Sequence, residues 1–264
     1  MVDRNLKDQP AIVTGASKGL GKAISLALAA RGASMALVDI DQDEGEKVST
    51  EIVKKGGLAL FIACDMRKES NVIAAVEKTV AEFGRIDILV NNAGIGTVST
   101  TWELPTEVFD NIMAVNLRGT FLFCKYVVPH MIKQKSGRII NMASAVGKQA
   151  QPLMTGYATS KAGLISMTVS LAKEVAEHGI NVNAICPGPV ETAWWTDIKK
   201  ILAKPLNVPE TDVVNWFTQN KQIIKVALKA EDIANVVCWL ASRDTKMITG
   251  QAISIDGGHE FPTY

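Results

Sequence analysis

Short apolar runs recur along the 264-residue chain, and stretches of helical composition separate most of them. Strands that alternate with helices of ten or so residues assemble as βαβ units, which bury a parallel sheet under helices on both faces. The runs predict strands at Ala11 to Thr14, Ala33 to Asp39, Leu58 to Cys64, Ile86 to Asn91, Gly137 to Asn141, Ile180 to Ile185 and Gln251 to Ile255. Helices are expected at Gly19 to Arg31, Asp43 to Lys55, Glu69 to Glu82, about Thr106 to Lys133, about Tyr157 to His178, and Ala230 to Leu240. Glu191 to Ala227 reads as irregular or helical. No proline- or glycine-rich linker divides the chain, and no short repeat or low-complexity tract interrupts it. The expected class is α/β: one doubly wound domain over residues 1–264, with a mostly parallel seven-stranded sheet.

Composition narrows the partners. Lys plus Arg number 28 against 27 Asp plus Glu, a formal net charge of +1, so no basic excess exists to hold a nucleic acid. No stretch reaches the roughly eighteen uncharged apolar residues that a membrane span needs. The opening Met1-Val-Asp-Arg-Asn-Leu-Lys-Asp is too charged for the core of a signal peptide, and a cytoplasmic location is expected. Cys64, Cys124, Cys186 and Cys238 are far apart, without CxxC spacing, and only His130, His178 and His259 supply imidazoles. Reduced, buried thiols are expected, and no metal site.

The segment Thr14-Gly15-Ala-Ser17-Lys18-Gly19-Leu20-Gly21 follows the first strand and opens the first helix. Gly15 lets the chain turn, Gly19 lets the backbone approach a phosphate, and Gly21 permits close helix packing. In that position the glycines predict a Rossmann-like dinucleotide site with the pyrophosphate at the helix N-terminus; a glycine-rich turn without a ligand is the alternative. Asp39 closes the second strand, where a carboxylate accepts hydrogen bonds from the ribose hydroxyls and repels a 2′-phosphate. Asp41 and Asp43 add negative charge, whereas Lys18 could reach a phosphate; the balance favours NAD over NADP. Asp65 and Met66 end the third strand and border the expected adenine position, with the Asp65 carboxylate near its amino group. Asn91-Asn92-Ala93-Gly94 ends the fourth, where small residues admit a cofactor and asparagines tie strand ends together.

Tyr157-Ala-Thr-Ser-Lys161 puts a phenol and an ammonium on one helix face. A neighbouring ammonium favours tyrosinate, making Tyr157 a candidate proton shuttle, and Lys161 can also hydrogen-bond a ribose. Ser144, at the end of the fifth strand, offers a hydroxyl to polarise a carbonyl or orient an alcohol. Asn116 lies in the otherwise apolar Met-Ala-Val-Asn-Leu-Arg, where a buried amide demands partners.

Thr14-Gly15-x-x-x-Gly19-x-Gly21, Asn91-Asn92-Ala93-Gly94, Asn116, Ser144, Tyr157-x-x-x-Lys161 and Pro187-Gly188 together resemble the short-chain dehydrogenase/reductase family, over about Gln9 to Gly258. The resemblance implies Tyr157 as acid/base, Ser144 as the residue holding the reacting oxygen, and Lys161 as the group lowering the Tyr157 pKa and binding the nicotinamide ribose. It further implies that Asn116 supports a water-linked relay through Lys161, that Asp39 selects NAD, and that Asn92 lies near the cofactor. Pro187 to Thr192, including Gly188 and Val190, would wrap the nicotinamide, with Thr192 near its carboxamide.

Residues 191–229 are expected to cover the substrate, and Trp194 and Trp195 stand beside the cofactor mouth as substrate wall or as anchors of the lid. Gln149, Gln151 and Met154 are further candidates to face the substrate. The lid resembles that of family members acting on polyols, vicinal diols and acetoin, but departs from them at Lys225-Val-Ala-Leu-Lys229 and at Glu260-Phe-Pro-Thr-Tyr264. The expected function is therefore NAD(H)-linked exchange between a secondary alcohol and a ketone. A 3-oxoacyl thioester reductase is the rival, and a binding-only dinucleotide sensor a more distant one. Two apolar stripes on the helix from Tyr157, and the nearly all-apolar stretch from Phe121, call for a second packing partner, a copy of the chain in a homo-oligomer or else an extra intramolecular layer from residues 191–227; the family favours a tetramer.

Overall fold

A computed structural model describes residues 5–192 and 195–259, apart from the side chain of Asp197. Its strands are β1 (Pro10–Thr14), β2 (Ser34–Asp39), β3 (Ala59–Ala63), β4 (Ile88–Asn91), β5 (Gly137–Met142), β6 (Ile180–Pro187) and β7 (Ala252–Ile255). They form one seven-stranded sheet in the order β3-β2-β1-β4-β5-β6-β7. Every pairing is parallel. The order reverses between β1 and β4, which sit side by side with Val13 opposite Val90. Ligands of doubly wound sheets bind where this reversal leaves a crevice at the carboxyl ends of the strands.

Strand alternation sorts the apolar side chains into two cores. Ala11, Val13, Met35 and Leu37 point to the face covered by α1 (Gly19–Ala30), which contributes Ile24 and Leu28, and by α2 (Gln42–Lys54), which contributes Val48 and Ile52. Ile12, Ala36 and Val38 point to the opposite face, against Val72 and Val76 of α3 (Glu69–Phe83). Both faces are buried, so the strands read as unbroken apolar runs rather than as alternating ones.

The long helical region expected at about Thr106 to Lys133 is continuous but not uniform. It comprises α4 (Thr106–Met113), a π-helical segment Ala114–Gly119, and α5 (Thr120–Gln134). Next come a short helix α6 (Ala145–Lys148), the long α7 (Thr155–Val175), and a single 3₁₀ turn, Ala176–His178. The segment between β6 and the closing helix is helical: α8 (Trp195–Leu206), a 3₁₀ turn at Glu210–Asp212, and α9 (Val213–Lys221), before α10 (Ala230–Ala241). A small separate core of Val98, Trp195, Ile198, Val213 and Val214 holds α8 and α9 over the carboxyl end of the sheet. All four cysteines are free and buried.

Candidate active site

The loops after β1 and β4 meet at the point of reversal. Gly15 takes φ +66°, and a Cβ there would stand 2.8 Å from the Ala93 Cα. Gly21 packs on the same turn so closely that a Cβ would lie 1.9 Å from the Gly15 carbonyl oxygen. Asn92 locks the pair: its Nδ2 donates to the carbonyls of Thr14 (2.9 Å) and Gly15 (3.1 Å). The Thr14 Oγ1 accepts from the backbone N–H groups of Asn92 and Ala93, both at 3.0 Å. Beyond this turn α1 begins at Gly19 with neither a side-chain cap from Lys18 nor an acidic residue in its first turn. A helix start left this way suits an anion.

At the end of β2 the Asp39 carboxylate accepts from the Ser17 N–H at 2.9 Å and the Asp41 N–H at 3.0 Å. Two of its roughly four acceptor positions are thereby used, and among the described residues it forms no ion pair. The Lys18 ammonium pairs with Asp41 at 2.6 Å. That pair offsets the Asp41 charge beside Asp39. Asp65 is likewise engaged. The Arg67 guanidinium grips it through Nε (2.8 Å) and Nη2 (2.9 Å), and holds its pKa below the usual carboxylate range.

These elements border a cleft of about 900 Å³ that runs from Asp39 to Tyr157. Every expected cofactor residue lines it except Gly21, which acts from behind through its contact with Gly15. Thr192 closes the cleft over Gly19, where a Cβ would lie 3.7 Å from the threonine Cγ2. The turn at Gly15, the uncapped start of α1 and a carboxylate at the end of β2 suit a dinucleotide.

The chemical end of the cleft is assembled from α7 and the β5–α6 turn. Ser144 lies just past β5 and caps α6, its Oγ accepting from the Val146 N–H at 3.3 Å. Tyr157 and Lys161 occupy successive turns of α7. Lys161 is only 3% exposed, and its Nζ donates to the Met142 carbonyl at 2.6 Å. Burial pulls its pKa down to about 8. Tyr157 moves the other way, pushed up to about 12 by burial, with a hydrogen bond involving Ser144 offsetting part of the rise. The Lys161 ammonium lies 5.6 Å from the Tyr157 ring centroid.

Asn116, fully buried in the π-helical segment, does not line the cleft. Its amide pairs with the Ile95 backbone like a strand partner, accepting from the N–H and donating to the carbonyl, both at 2.8 Å. A further donor bond reaches Ser160 Oγ at 2.9 Å. The amide thus fixes the loop after β4.

On the substrate side Gln151, Met154 and Trp195 line the cleft. Gln149 is exposed and lies outside it, because the turn after α6 carries the side chain into solvent. Trp194 lies outside the described residues. Residues not singled out from sequence also line this end, notably Val98, Leu202, Phe217 and His259. Phe217 could have been suspected from its place in the aromatic-rich lid, but nothing local marks His259.

The model of the short chain dehydrogenase family matches residues 9–202. A 3-oxoacyl-[acyl-carrier-protein] reductase of Thermotoga maritima is 36% identical over 257 residues, spanning 96% of this chain and 98% of its own. Among solved structures, levodione reductase superposes with a TM-score of 0.89 at 34% identity, covering 96% of this chain and 97% of the other. NAD⁺-bound xylitol dehydrogenase gives 0.89 at 31% identity, covering 96% and 99%.

Proposed function

The chain belongs to the short-chain dehydrogenase/reductase family, oxidoreductases acting on the CH–OH group, and we propose that it exchanges a hydride between NAD(H) and a secondary alcohol or ketone among polyols, vicinal diols and small hydroxyketones. The observation that carries this reading is one continuous cleft with Asp39 at one end and Ser144 and Tyr157 at the other. When bound, the nicotinamide supplies or accepts the hydride. Ser144 orients the substrate oxygen; the Tyr157 phenol gives that oxygen a proton in reduction, becoming phenolate, and the phenolate takes the hydroxyl proton back in oxidation. Lys161, whose ammonium donates to the Met142 carbonyl, would hydrogen-bond the nicotinamide ribose. Asn116 acts as a positioning residue through Ile95 and Ser160.

Preference for NAD rests on Asp39. Its carboxylate, without an ion pair among the described residues, attracts ribose hydroxyls and repels a 2′-phosphate. Residues 191–229 serve as the lid, through α8 and α9. The substrate is a small molecule, and no helix among the described residues is long and apolar enough to cross a membrane. Homo-oligomerisation, with a tetramer favoured, is supported by Phe121, which is 51% exposed on α5.

The Thermotoga relative keeps 3-oxoacyl thioester reduction as a second reading. Absorbance of the reduced nicotinamide, followed in both directions with either cofactor against polyols, diols, hydroxyketones and acyl thioesters, separates the two. Tyr157→Phe should retain cofactor binding and lose turnover by roughly 10²–10⁴-fold. Turnover of acyl thioesters alone, or near wild-type hydride transfer by the Tyr157 variant, overturns the reading.

A further inference from the structure

Beyond the reacting pair, the walls of the cleft are hydrocarbon. Val98, Leu153 and Met154 face it together with Trp195, Leu202 and Phe217, and all six belong to the small core that seats the lid. The aromatic side is built to keep its shape. The Trp195 and Phe217 rings lie 5.9 Å apart and tilted by 51°, and Trp216 meets Phe217 edge-on at 5.3 Å and 87°. His259 leans on Phe217 at 6.1 Å with 32° between the planes.

The charged residues lining the cleft are segregated. Lys18, Asp39, Asp41, Asp65 and Arg67 belong to the nucleotide half, and Lys161 is committed to the Met142 carbonyl. Among the described residues no carboxylate, ammonium or guanidinium lines the half beyond Tyr157. Its polar side chains, apart from Ser144 and Tyr157, are Gln151 and His259, and burial lowers the imidazole pKa.

From this lining, and resting on the proposed alcohol–ketone exchange, we infer that the substrate has an uncharged, compact hydrocarbon body. It carries one oxygen at the reacting carbon and one or two more within reach of Gln151 and His259. A cyclic 1,2-diketone, reduced to its hydroxyketone, or a cyclic 2-hydroxyketone, reduced to its vicinal diol, has this form. An open-chain polyol does not, because it brings a hydroxyl on nearly every carbon, and each hydroxyl left unpaired against Leu, Met or Phe weakens binding by about tenfold. A carboxylate or phosphate on the substrate finds no counter-charge there. A flat or puckered ring, by contrast, packs against the fixed faces of Trp195 and Phe217.

The test pairs binding with turnover. Saturation-transfer NMR on the full-length enzyme and steady-state assays with NADH use a cyclohexane diketone, a cyclic hydroxyketone, acetoin, an open-chain ketose and acetoacetate. The cyclic compounds should bind and react at least about tenfold more efficiently than the ketose or the anion. Phe217→Ala should cost the diketone about tenfold or more in kcat/KM, mostly through KM, and leave NADH affinity unchanged. Phe217→Leu, which keeps the lid filled, should recover part of that loss, and His259→Gln should retain more than His259→Ala. A ketose or acetoacetate that matches the cyclic compounds overturns the inference and leaves the proposed oxidoreduction standing. Selective binding of the diketone without turnover of any carbonyl compound, with either nucleotide, overturns the oxidoreduction and leaves the substrate class standing. If the cyclic compounds neither bind nor react, both fall.

Discussion

Lys161 and Tyr157 stand one helical turn apart on α7, yet the Lys161 ammonium donates to the Met142 carbonyl at 2.6 Å and keeps 5.6 Å from the Tyr157 ring centroid. The lysine is held by the end of β5, so its position depends on the sheet and not on the phenol it is expected to assist. Both groups are carried into the cleft at a desolvation cost, and that cost has a pH signature.

The Lys161 pKa falls from 10.5 to about 8 on folding, so the unfolded chain binds the extra proton between those values. Its contribution therefore makes stability rise as pH increases from about 8 to 10.5. The Tyr157 pKa rises from 10.0 to about 12, and its contribution falls as pH increases across that window. Urea unfolding of Lys161→Met between pH 7 and 10.5 should lack the alkaline gain, and the variant should be more stable than wild type at neutral pH while losing turnover. An unchanged pH slope would show that the ammonium is not desolvated as the fold requires.

Asp39 serves the loop as well as the expected ribose, because it accepts from the Ser17 and Asp41 backbones. Asp39→Ala should weaken NAD binding about tenfold and reduce the preference over NADP, since repulsion of a 2′-phosphate disappears with the charge. Asp39→Asn keeps an acceptor for one N–H and should lose less affinity while still losing discrimination. Cofactor titration by calorimetry, with both nucleotides, measures each effect; wild-type preference for NADP would contradict the assignment.

The sheet was legible in the sequence because strands buried on both faces are continuous apolar runs, and the nucleotide edge because glycines must stand where Gly15 and Gly21 meet. Boundaries shifted where a side chain replaced a ladder partner. The apolar run places Ile86 in a strand, but β4 begins at Ile88, and the Gln134 amide instead takes the Ile86 N–H (3.2 Å) and carbonyl (2.8 Å). The Lys18–Asp41 pair was hidden for a related reason: where a long side chain turns depends on a partner brought close only by the fold. His259 reaches the cleft through Gly257 and Gly258, both at positive φ, with the Gly257 carbonyl accepting from Ile223 at 3.0 Å. No periodicity or motif encodes such a docked turn.

Asn116→Ala should leave the Ile95 N–H and carbonyl without their amide partner and destabilise the protein by about 2–3 kcal/mol. Asn116→Asp would bury a carboxylate against the Ile95 carbonyl, so at neutral pH a loss at least as large is expected, smaller at acid pH where the protonated carboxyl can donate. Denaturant midpoints establish the order of the three proteins. A fall in kcat larger than the fall in cofactor affinity, in the folded variants, would separate positioning from bulk stability.

Phe121 exposes half of its ring on α5. If this face joins copies of the chain, Phe121→Glu should shift the mass measured by light scattering toward 28.4 kDa and leave the circular dichroism spectrum unaltered. A wild-type mass already at that value over a wide concentration range would remove the oligomer from consideration.

The π-helical turns at Ala114–Gly119 act as a phase shifter within one unbroken helix. Inserting one residue into an α-helical ladder rotates everything downstream by about 100°. Upstream, α4 lies against α7; downstream, α5 lies against α3 and the strands β4 and β5. One rod thus serves two sets of neighbours without a break, and Asn116 sits at the slip. The length of this stretch is consequently more constrained than its composition: deleting a single residue would turn Leu122, Phe123 and Val127 away from their core, a disturbance that no individual side-chain replacement along the rod would reproduce.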